Sequence, residues 1–424
     1  MTYREAVARI LALRGGEISG MRPGLDRIEA LLAAIGNPER AFRIVQVGGT
    51  NGKGSVSAMV AAILEADGHR VGLYTSPHLS DFRERIRVNG TLISETDVVD
   101  GVEAIGTLVA RLDATMFEAA TALGLDHFAR EGVDVAVLEV GLGGRGDATT
   151  VGEPAVEVLS QIDFDHQAHL GNTLTQIAAE KAAIIRTGVA FAARQGPEVE
   201  EVLIRRAAEA GVPLALEGRE LRVHVKGFDL GGHRLNLEGP GWSMHDVRCR
   251  LLGLFQPGNA LLAVAAARQL GASEAAIRRG LLAVDWPGRF QIVQRDPIVV
   301  VDGAHNPAGA RALAASLRAY FPHEPLTLVI GISADKDQAG ILAALAPLAV
   351  RIVLTAYQSP RAARPGAMRA LLPPSHAQVE IAESLRDALS RAMDESRTPV
   401  ICVAGSLYLI GEALALCQQG PRVS

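Results

Sequence analysis

The sequence predicts an α/β protein of two domains, a large N-terminal one with a mainly parallel sheet covered by helices and a smaller C-terminal α/β one. Three observations predict it. Short β-branched runs alternate with helical stretches over most of the chain, the pattern of a parallel sheet with helical crossovers. A glycine-rich loop joins the first such run to a long helix. At Asp285-Trp286-Pro287-Gly288 the pattern breaks, and a fresh strand begins soon after. A chain of 424 residues is also longer than one hydrophobic core usually serves. The boundary falls within 286–296, and the domains are taken as 1–288 and 289–424.

The predicted strands of the first domain are RIVQV (43–47), RVGLYT (70–75), VDVAVLEV (133–140) and AVEVLSQI (155–162). Each ends in a loop rich in Gly, Ser, Asp or His, and ligands of such sheets sit beyond the carboxyl ends of the strands. TLTQIAAEKAAIIRT predicts a helix over Thr173–Thr187. From 218 to 250 the text becomes short alternating segments with Gly-rich turns, which predict hairpins. Two helices follow, NALLAVAAARQLG and SEAAIRRGLLAV, then strands PIVVVD (297–302), PLTLVIGI, VRIVLTA and PVICVAG, again alternating with helices.

Composition narrows the function. With 48% apolar and 21% charged residues the chain reads as globular, and a net charge of -5 offers no broad basic surface for nucleic acid. Cys249, Cys402 and Cys417 are scattered without a C-x-x-C pair, which suggests neither a disulfide framework nor a zinc cluster and fits a reducing compartment. The N-terminal stretch lacks a signal peptide's unbroken apolar core, and no run approaches bilayer length. The expectation is a cytoplasmic, enzyme-like protein that engages neither membrane nor nucleic acid.

Gly48-Gly49-Thr50-Asn51-Gly52-Lys53-Gly54-Ser55 lies between RIVQV and the helical stretch SVSAMVAAILEADG. A strand, a glycine-rich turn and a helix N-terminus with its free N–H groups are what a phosphate loop requires. The usual pattern puts the hydroxyl residue directly after the lysine, whereas here Gly54 intervenes. The stretch is either a nucleotide loop with its own spacing, Lys53 reaching the phosphates and Ser55 a Mg²⁺, or a tight turn.

Glu139 ends the most apolar strand, where an unpaired carboxylate is costly unless it is paired or binds a cation. Mg²⁺ beside a triphosphate would satisfy it. Thr75-Ser76-Pro77-His78 and Asp163-Phe164-Asp165-His166 bring a hydroxyl and an imidazole to the same edge. Lys181 falls on the apolar stripe of Leu174, Ile177, Ala178, Ile184 and Ile185. It either snorkels to the surface or is held toward the site, where burial would make its amine reactive.

Taken together, GTNGKGS, TSPHLSDFRERIRVNG, LEVGLGGRGDATT, Asp165-His166 followed by EKAAIIRTG, PGRFQ (287–291) and DGAHNP (302–307) resemble the folylpolyglutamate synthase/dihydrofolate synthase family of the Mur-type ligase superfamily. The similarity runs from about residue 20 onward, with the motifs in the family's order. The resemblance implies a P-loop-type N-terminal domain and a Rossmann-like C-terminal one. It implies ATP at Thr50, Asn51, Gly52, Lys53, Gly54 and Ser55, with Asn259, Arg289, Asp302 and His305 as further contacts. Two Mg²⁺ ions are implied, with Ser55, Ser76 and Glu139 matching ligands of the first and His166 of the second. Lys181 matches a lysine carbamylated by CO₂, and Lys53, His166, Lys181 and Arg289 take the catalytic roles. The acceptor, 7,8-dihydropteroate or a reduced folate, is implied at Met21-Arg22-Pro23, at Thr115-Met116-Phe117-Glu118 and at Gly146-Asp147-Ala148. L-Glutamate is expected near Ala304-His305-Asn306 and Gly405-Ser406, and a monomer is implied. Met116 stands where the family shows a tyrosine, and Ala119-Ala120 where it shows more bulk, so the departures fall where substrate choice is made.

The implied reaction is ATP-driven amide formation through an acyl phosphate, adding the first glutamate to dihydropteroate, extending folates, or both. Two other readings remain: a cell-wall Mur ligase, which would need a UDP-binding domain where only about forty residues precede the loop, and a nucleotide-gated module, which would leave Glu139, His166 and Lys181 idle.

Overall fold

The computed structural model describes residues 1–14, 24–374, 376–394 and 398–418. They divide into two compact units, one of 1–227, 234–250 and 257–284, the other of 228–233, 251–256 and 285 onward.

The first unit is built on an eight-stranded sheet. Its strands are β1 (Arg43–Gly48), β2 (Val71–Tyr74), β3 (Ile86–Val88), β4 (Thr91–Leu92), β5 (Val135–Glu139), β6 (Pro154–Leu159), β7 (Val189–Ala192) and β8 (Leu214–Leu216). Their order across the sheet is β4-β3-β2-β5-β1-β6-β7-β8. The six strands from β2 to β8 in that order are parallel, and β3 and β4 run antiparallel at one edge. Central β1 pairs on one side with β5, Val47 facing Glu139, and on the other with β6, Gly48 facing Leu159. Both partners therefore end level with the first glycines of the loop. The four predicted strands are all present: β1 runs one residue further, β2 and β5 are trimmed at both ends, and β6 starts one residue earlier and ends three earlier, while β3, β4, β7 and β8 are short additions at the edges.

The helix Lys53–Ala66 is buried along Val56, Met59, Val60, Ile63 and Leu64, fitting a helix packed against a sheet. The helix predicted over Thr173–Thr187 runs only from Leu174 to Ala182. Its start is as the sequence reads, with Thr173 and Gln176 forming a capping box. It ends early because the Glu157 carboxylate takes the backbone N–H groups of Arg186 and Thr187, at 3.2 and 2.8 Å, and Gly188 follows at φ 67°. Ile184 and Ile185 stay fully buried beyond the helix, so the apolar stripe outlasts the helical backbone. The segment 218–250 forms an antiparallel sheet of β9 (Arg222–Asp229), β10 (Gly232–Gly239) and β11 (Trp242–Cys249), as its turns predict.

The second unit carries β12 (Gln291–Arg295), β13 (Ile298–Asp302), β14 (Leu326–Ile330), β15 (Ala349–Leu354), β16 (Gln378–Ile381) and β17 (Val400–Ala404), in the order β12-β13-β17-β14-β15-β16. All pair in parallel except β12, which lies antiparallel on β13. Phe290, Val300, Leu313, Leu328, Ile341 and Ile352 fill one face, and Val301, Val329, Val353, Leu409 and Ile410 fill the other. Cys249 and Cys402 are buried, and Cys417 is half-buried. Among the described residues no helix is long and apolar enough to cross a membrane.

Candidate active site

The loop at the end of β1 is held from below and from one side. Gly49 adopts φ 131° directly against Ser160, whose N–H donates to Gly48 O at 2.9 Å. Thr50 N donates to Gln161 O at 2.8 Å, and the Thr50 hydroxyl exchanges bonds with Asp163 O (3.0 Å) and Asp163 N (3.1 Å). Gly52, the helix N-cap, has φ 96°, and a Cβ there would stand 2.6 Å from Asn259 Oδ1. A residue other than glycine would thus be strained in backbone and blocked by a side chain. Lys53 donates from Nζ to Thr50 O at 3.3 Å, and Ser55 is 1% exposed in the first helical turn.

Lys181 does not reach the surface. It is 4% exposed, and its Nζ donates to Gly49 O at 2.9 Å, so the lysine of the apolar stripe ends directly beneath the glycine-rich loop after β1. Glu139 is 6% exposed at the end of β5 and accepts from Ser76 N at 3.2 Å. The hydroxyl residue after β2 and the carboxylate after β5 therefore meet. His166 follows β6 with φ 49°, its N–H bonded to Asp165 Oδ1 at 2.9 Å.

The other imidazole of this edge has a different employment. Arg85 Nε donates to His78 Nδ1 at 2.8 Å, and burial lowers the pKa of His78, so the ring is a neutral acceptor. The loop carrying Ser76 and His78 is organised by Glu84, whose carboxylate accepts from Leu79 N (2.7 Å), Ser80 N (3.0 Å), Ser80 Oγ (2.8 Å) and Asp81 N (2.8 Å). Asp81 and Glu84 form a capping box, a signal readable in the sequence as D-x-x-E.

Of the acceptor segments, Met21, Arg22 and Pro23 lie outside the described residues. Thr115 and Glu118 form a capping box on the helix Met116–Arg130, and the buried Glu118 also pairs with Arg27 at 2.9 and 3.2 Å. Met116 is fully buried. Phe117 meets Tyr74 edge to face with centroids 6.1 Å apart, and a Cβ on Gly141 would come 2.5 Å from its ring. Thr115–Glu118 thus overlies the ends of β2 and β5. Gly146 is half-buried, and Ala148 is buried. Asp147, 1% exposed, turns inward to accept from Leu142 N and Thr149 N, both at 2.9 Å, and shapes the loop that carries it.

In the second unit Asp302 ends β13, nearly buried, accepting from Phe290 N at 2.7 Å and Ala304 N at 2.8 Å. Burial raises its carboxyl above the ordinary range against the opposing pull of Arg289. Arg289 Nη1 donates to Gly288 O at 3.1 Å, and His305 Nδ1 lies 2.8 Å from Gly303 O. Asn306 caps the helix Pro307–Tyr320 through Gly309 N. Ser406 is buried after β17 and accepts from Tyr408 N at 3.3 Å.

The first unit therefore gathers an anion-ready loop, a lysine under it, and a hydroxyl and carboxylate beside it, next to a partly aromatic wall. Among the described residues no group of three or more His, Cys, Asp and Glu side chains forms a metal cluster. Ser55, Ser76 and Glu139 are hard-oxygen donors instead, a chemistry that suits Mg²⁺ more than a transition metal.

Residues 47–267 match the Mur ligase middle domain, and residues 288–407 match the Mur ligase glutamate ligase domain. The dihydrofolate synthase/folylpolyglutamate synthase of Mycobacterium tuberculosis is 37% identical, the alignment covering 94% of this chain and 91% of that protein. The folylpolyglutamate synthase of Lacticaseibacillus casei is 35% identical over 96% and 97%. A crystal structure of the M. tuberculosis folylpolyglutamate synthase complexed with ADP and AMPPCP superposes with a TM-score of 0.89, at 36% identity, covering 98% of this chain and 100% of that one. FolC of Escherichia coli in complex with DHPP and ADP gives 0.89 at 29% identity, covering 99% and 98%.

Proposed function

The chain belongs to the dihydrofolate synthase/folylpolyglutamate synthase family of Mur-type ligases and is an ATP-dependent ligase, and on that premise we propose that it joins L-glutamate both to 7,8-dihydropteroate and to the γ-carboxylate of reduced folates. One observation carries the reading most directly. Lys181 lies buried under Gly49 while Glu139 and Ser76 meet beside the same loop. That arrangement supports the transfer of a phosphoryl group to an acceptor carboxylate beside this loop.

A carboxylate resists attack by an amine because its leaving group would be oxide. Phosphorylation by ATP gives ADP and an acyl phosphate; glutamate's amine attacks its carbonyl carbon, forming the amide as phosphate leaves and the nitrogen loses a proton. Thr50, Asn51, Gly52, Lys53, Gly54 and Ser55 bind the phosphates, Lys53 countering their charge, and Asn259, Arg289, Asp302 and His305 complete the nucleotide's contacts. Ser55, Ser76 and Glu139 would hold one Mg²⁺, and His166 with a CO₂-derived carbamate on Lys181 would hold a second. Bound there, the ions would neutralise developing phosphate charge and orient the acyl oxygen. Carbamylation turns the Lys181 amine into an oxygen donor and suits a lysine withdrawn from solvent. Met21, Arg22, Pro23, Thr115, Met116, Phe117, Glu118, Gly146, Asp147 and Ala148 contact the acceptor. The proposal takes 1–288 as the ATP-binding domain and 289–424 as the ligase-type domain, in a cytoplasmic monomer.

Mixing the protein with ATP, Mg²⁺, glutamate and dihydropteroate should release phosphate only when both organic substrates are present, with mass spectrometry detecting dihydrofolate. Repeating the assay with tetrahydrofolate should yield polyglutamates. Phosphate release that needs neither acceptor nor glutamate would overturn the reading, and turnover of tetrahydrofolate alone would reduce it to folate extension.

A further inference from the structure

The middle of the first unit's sheet holds a polar chain that the roles assigned above leave unused. Gln46 on β1 and Glu157 on β6 face each other in register, and neither is exposed at all. Polar side chains at such positions are costly unless hydrogen-bonded; Gln46 is engaged through both amide atoms and Glu157 through Oε1, while Glu157 Oε2 has no hydrogen-bond partner among the described residues. Glu157 Oε1 accepts from Arg186 N and Thr187 N, the turn just behind the helix of Lys181. Arg186 forks outward, Nη1 to Gly152 O at 3.1 Å and Nη2 to Gln46 Oε1 at 3.4 Å. Gln46 in turn donates from Nε2 to Thr150 Oγ1 at 2.8 Å and Thr149 Oγ1 at 3.4 Å. The Thr150 hydroxyl donates to Gly144 O at 2.7 Å, and Thr149 N bonds Asp147.

The chain thus runs without a break from the Gly146–Ala148 loop to the turn behind Lys181. A second tie closes the circuit on the outside, where Arg145 N donates to Glu180 O at 3.2 Å. Gly144 lies so close that a Cβ would come 2.7 Å from Glu180 O and 2.9 Å from Lys181 O. The loop and the Lys181 helix are therefore held to each other at two places, one of them through buried side chains of the central strands.

We propose that Gln46, Glu157 and Arg186 are positioning residues for the ligase reaction, holding the acceptor loop in register with the Lys181 segment beneath the phosphate loop. The inference rests on the proposed roles of Lys181 and of Gly146–Ala148. Its energetic logic is that of a supporting shell: groups that touch neither substrate nor nucleotide fix those that do. Because the link is one continuous chain, cutting it at two points costs little more than cutting it at one.

The test uses the full chain with Gln46→Met, Arg186→Lys, Thr150→Val and Thr150→Ser. Gln46→Met and Arg186→Lys should each lower kcat/KM for the acceptor by about tenfold, the lower end of what losing a supporting partner costs, while KM for ATP stays within twofold. The double variant should match the single ones. Thr150→Val, which keeps volume but removes the hydroxyl, should reproduce the loss, and Thr150→Ser should restore activity. Amide exchange at Leu142 and Thr149 should quicken in Arg186→Lys, although that residue touches neither. Equal effects on ATP and acceptor, multiplicative losses in the double variant, or a Thr150→Val enzyme as active as the parent would overturn the proposal. The exchange measurement needs no turnover, so a wild-type protein inactive with both dihydropteroate and tetrahydrofolate would refute the proposed function and leave the coupling to be judged by exchange alone.

Discussion

Lys181 is the residue whose surroundings say most about chemistry, because a lysine with 4% exposure and a backbone carbonyl for a partner has left the solvent that normally keeps it inert. Lys181→Ala should reduce turnover by about 10²–10³-fold, as expected for a lost transition-state group, and added short carboxylic acids should recover part of it; an unaltered rate would make the lysine structural. Gly52 sets a second requirement. A methyl group there meets Asn259 Oδ1 at 2.6 Å with φ at 96°, so Gly52→Ala should weaken ADP binding about tenfold, equivalent to roughly 1.4 kcal/mol, without unfolding the protein; calorimetric titration with ADP reads this. Glu157 supplies a pH dependence. Burial pushes its carboxyl up to about 7, against an ordinary value of 4.5, with the Arg186 and Thr187 N–H groups and the Arg186 charge pulling it back. A raised folded-state pKa means that the neutral acid favours folding. Its contribution is full below about 4.5 and is lost as pH rises through about 7. Glu157→Gln keeps the acceptor oxygen and removes the titration. The fall in melting temperature from pH 5 to pH 8 should therefore be smaller in Glu157→Gln than in the parent, and equal falls would remove Glu157 from the titration.

At the scale of elements, helix ends decide where the site residues stand. Thr115 and Glu118 cap the helix Met116–Arg130 reciprocally, and Glu118 is also pinned by Arg27, so the proposed acceptor wall rests on a cap and an ion pair. Thr115→Ala should lower stability by about 1 kcal/mol, the usual worth of such a cap, and raise KM for the acceptor more than that for ATP; an unchanged acceptor KM would separate the cap from binding. Elements of this kind are legible in sequence because capping residues, apolar periodicity and glycine turns act locally. The phosphate loop, Glu139 and Lys181 are legible for the opposite reason, since each interrupts an otherwise apolar or regular pattern. Gln46 and Glu157 interrupt their strands in the same way, yet RIVQV and AVEVL read simply as strands, because the partner that justifies both is Arg186, distant in sequence. The same tertiary bond stops the Lys181 helix at Ala182, five residues short of the predicted end at Thr187. Short edge strands such as β4 (Thr91–Leu92) and β8 (Leu214–Leu216) have too few residues to show a period at all.

For the whole molecule, the two units have separate hydrophobic cores. One gathers Ile44, Phe82, Leu123 and Phe128 with the first sheet, and the other gathers Phe290, Leu313, Leu328 and Ile352 with the second. Chain order does not follow this division, since 228–233 and 251–256 belong with the second unit although their neighbours belong with the first. Cores of this independence need not melt together, and two-state behaviour is not expected of a chain with two of them. Scanning calorimetry should resolve two transitions. The glycine-rich loop, Lys53 and Asn259 lie in the first unit and the proposed contacts Arg289, Asp302 and His305 in the second, so ADP should raise the first unit's transition more than the second's, by up to about 2.7 kcal/mol at a hundredfold excess over Kd. At the same ADP concentration Gly52→Ala, binding tenfold more weakly, should cut this shift by about half while leaving the other transition in place. A single transition that moves as a whole with ADP would mean instead that the interleaved segments bind the two cores into one cooperative unit.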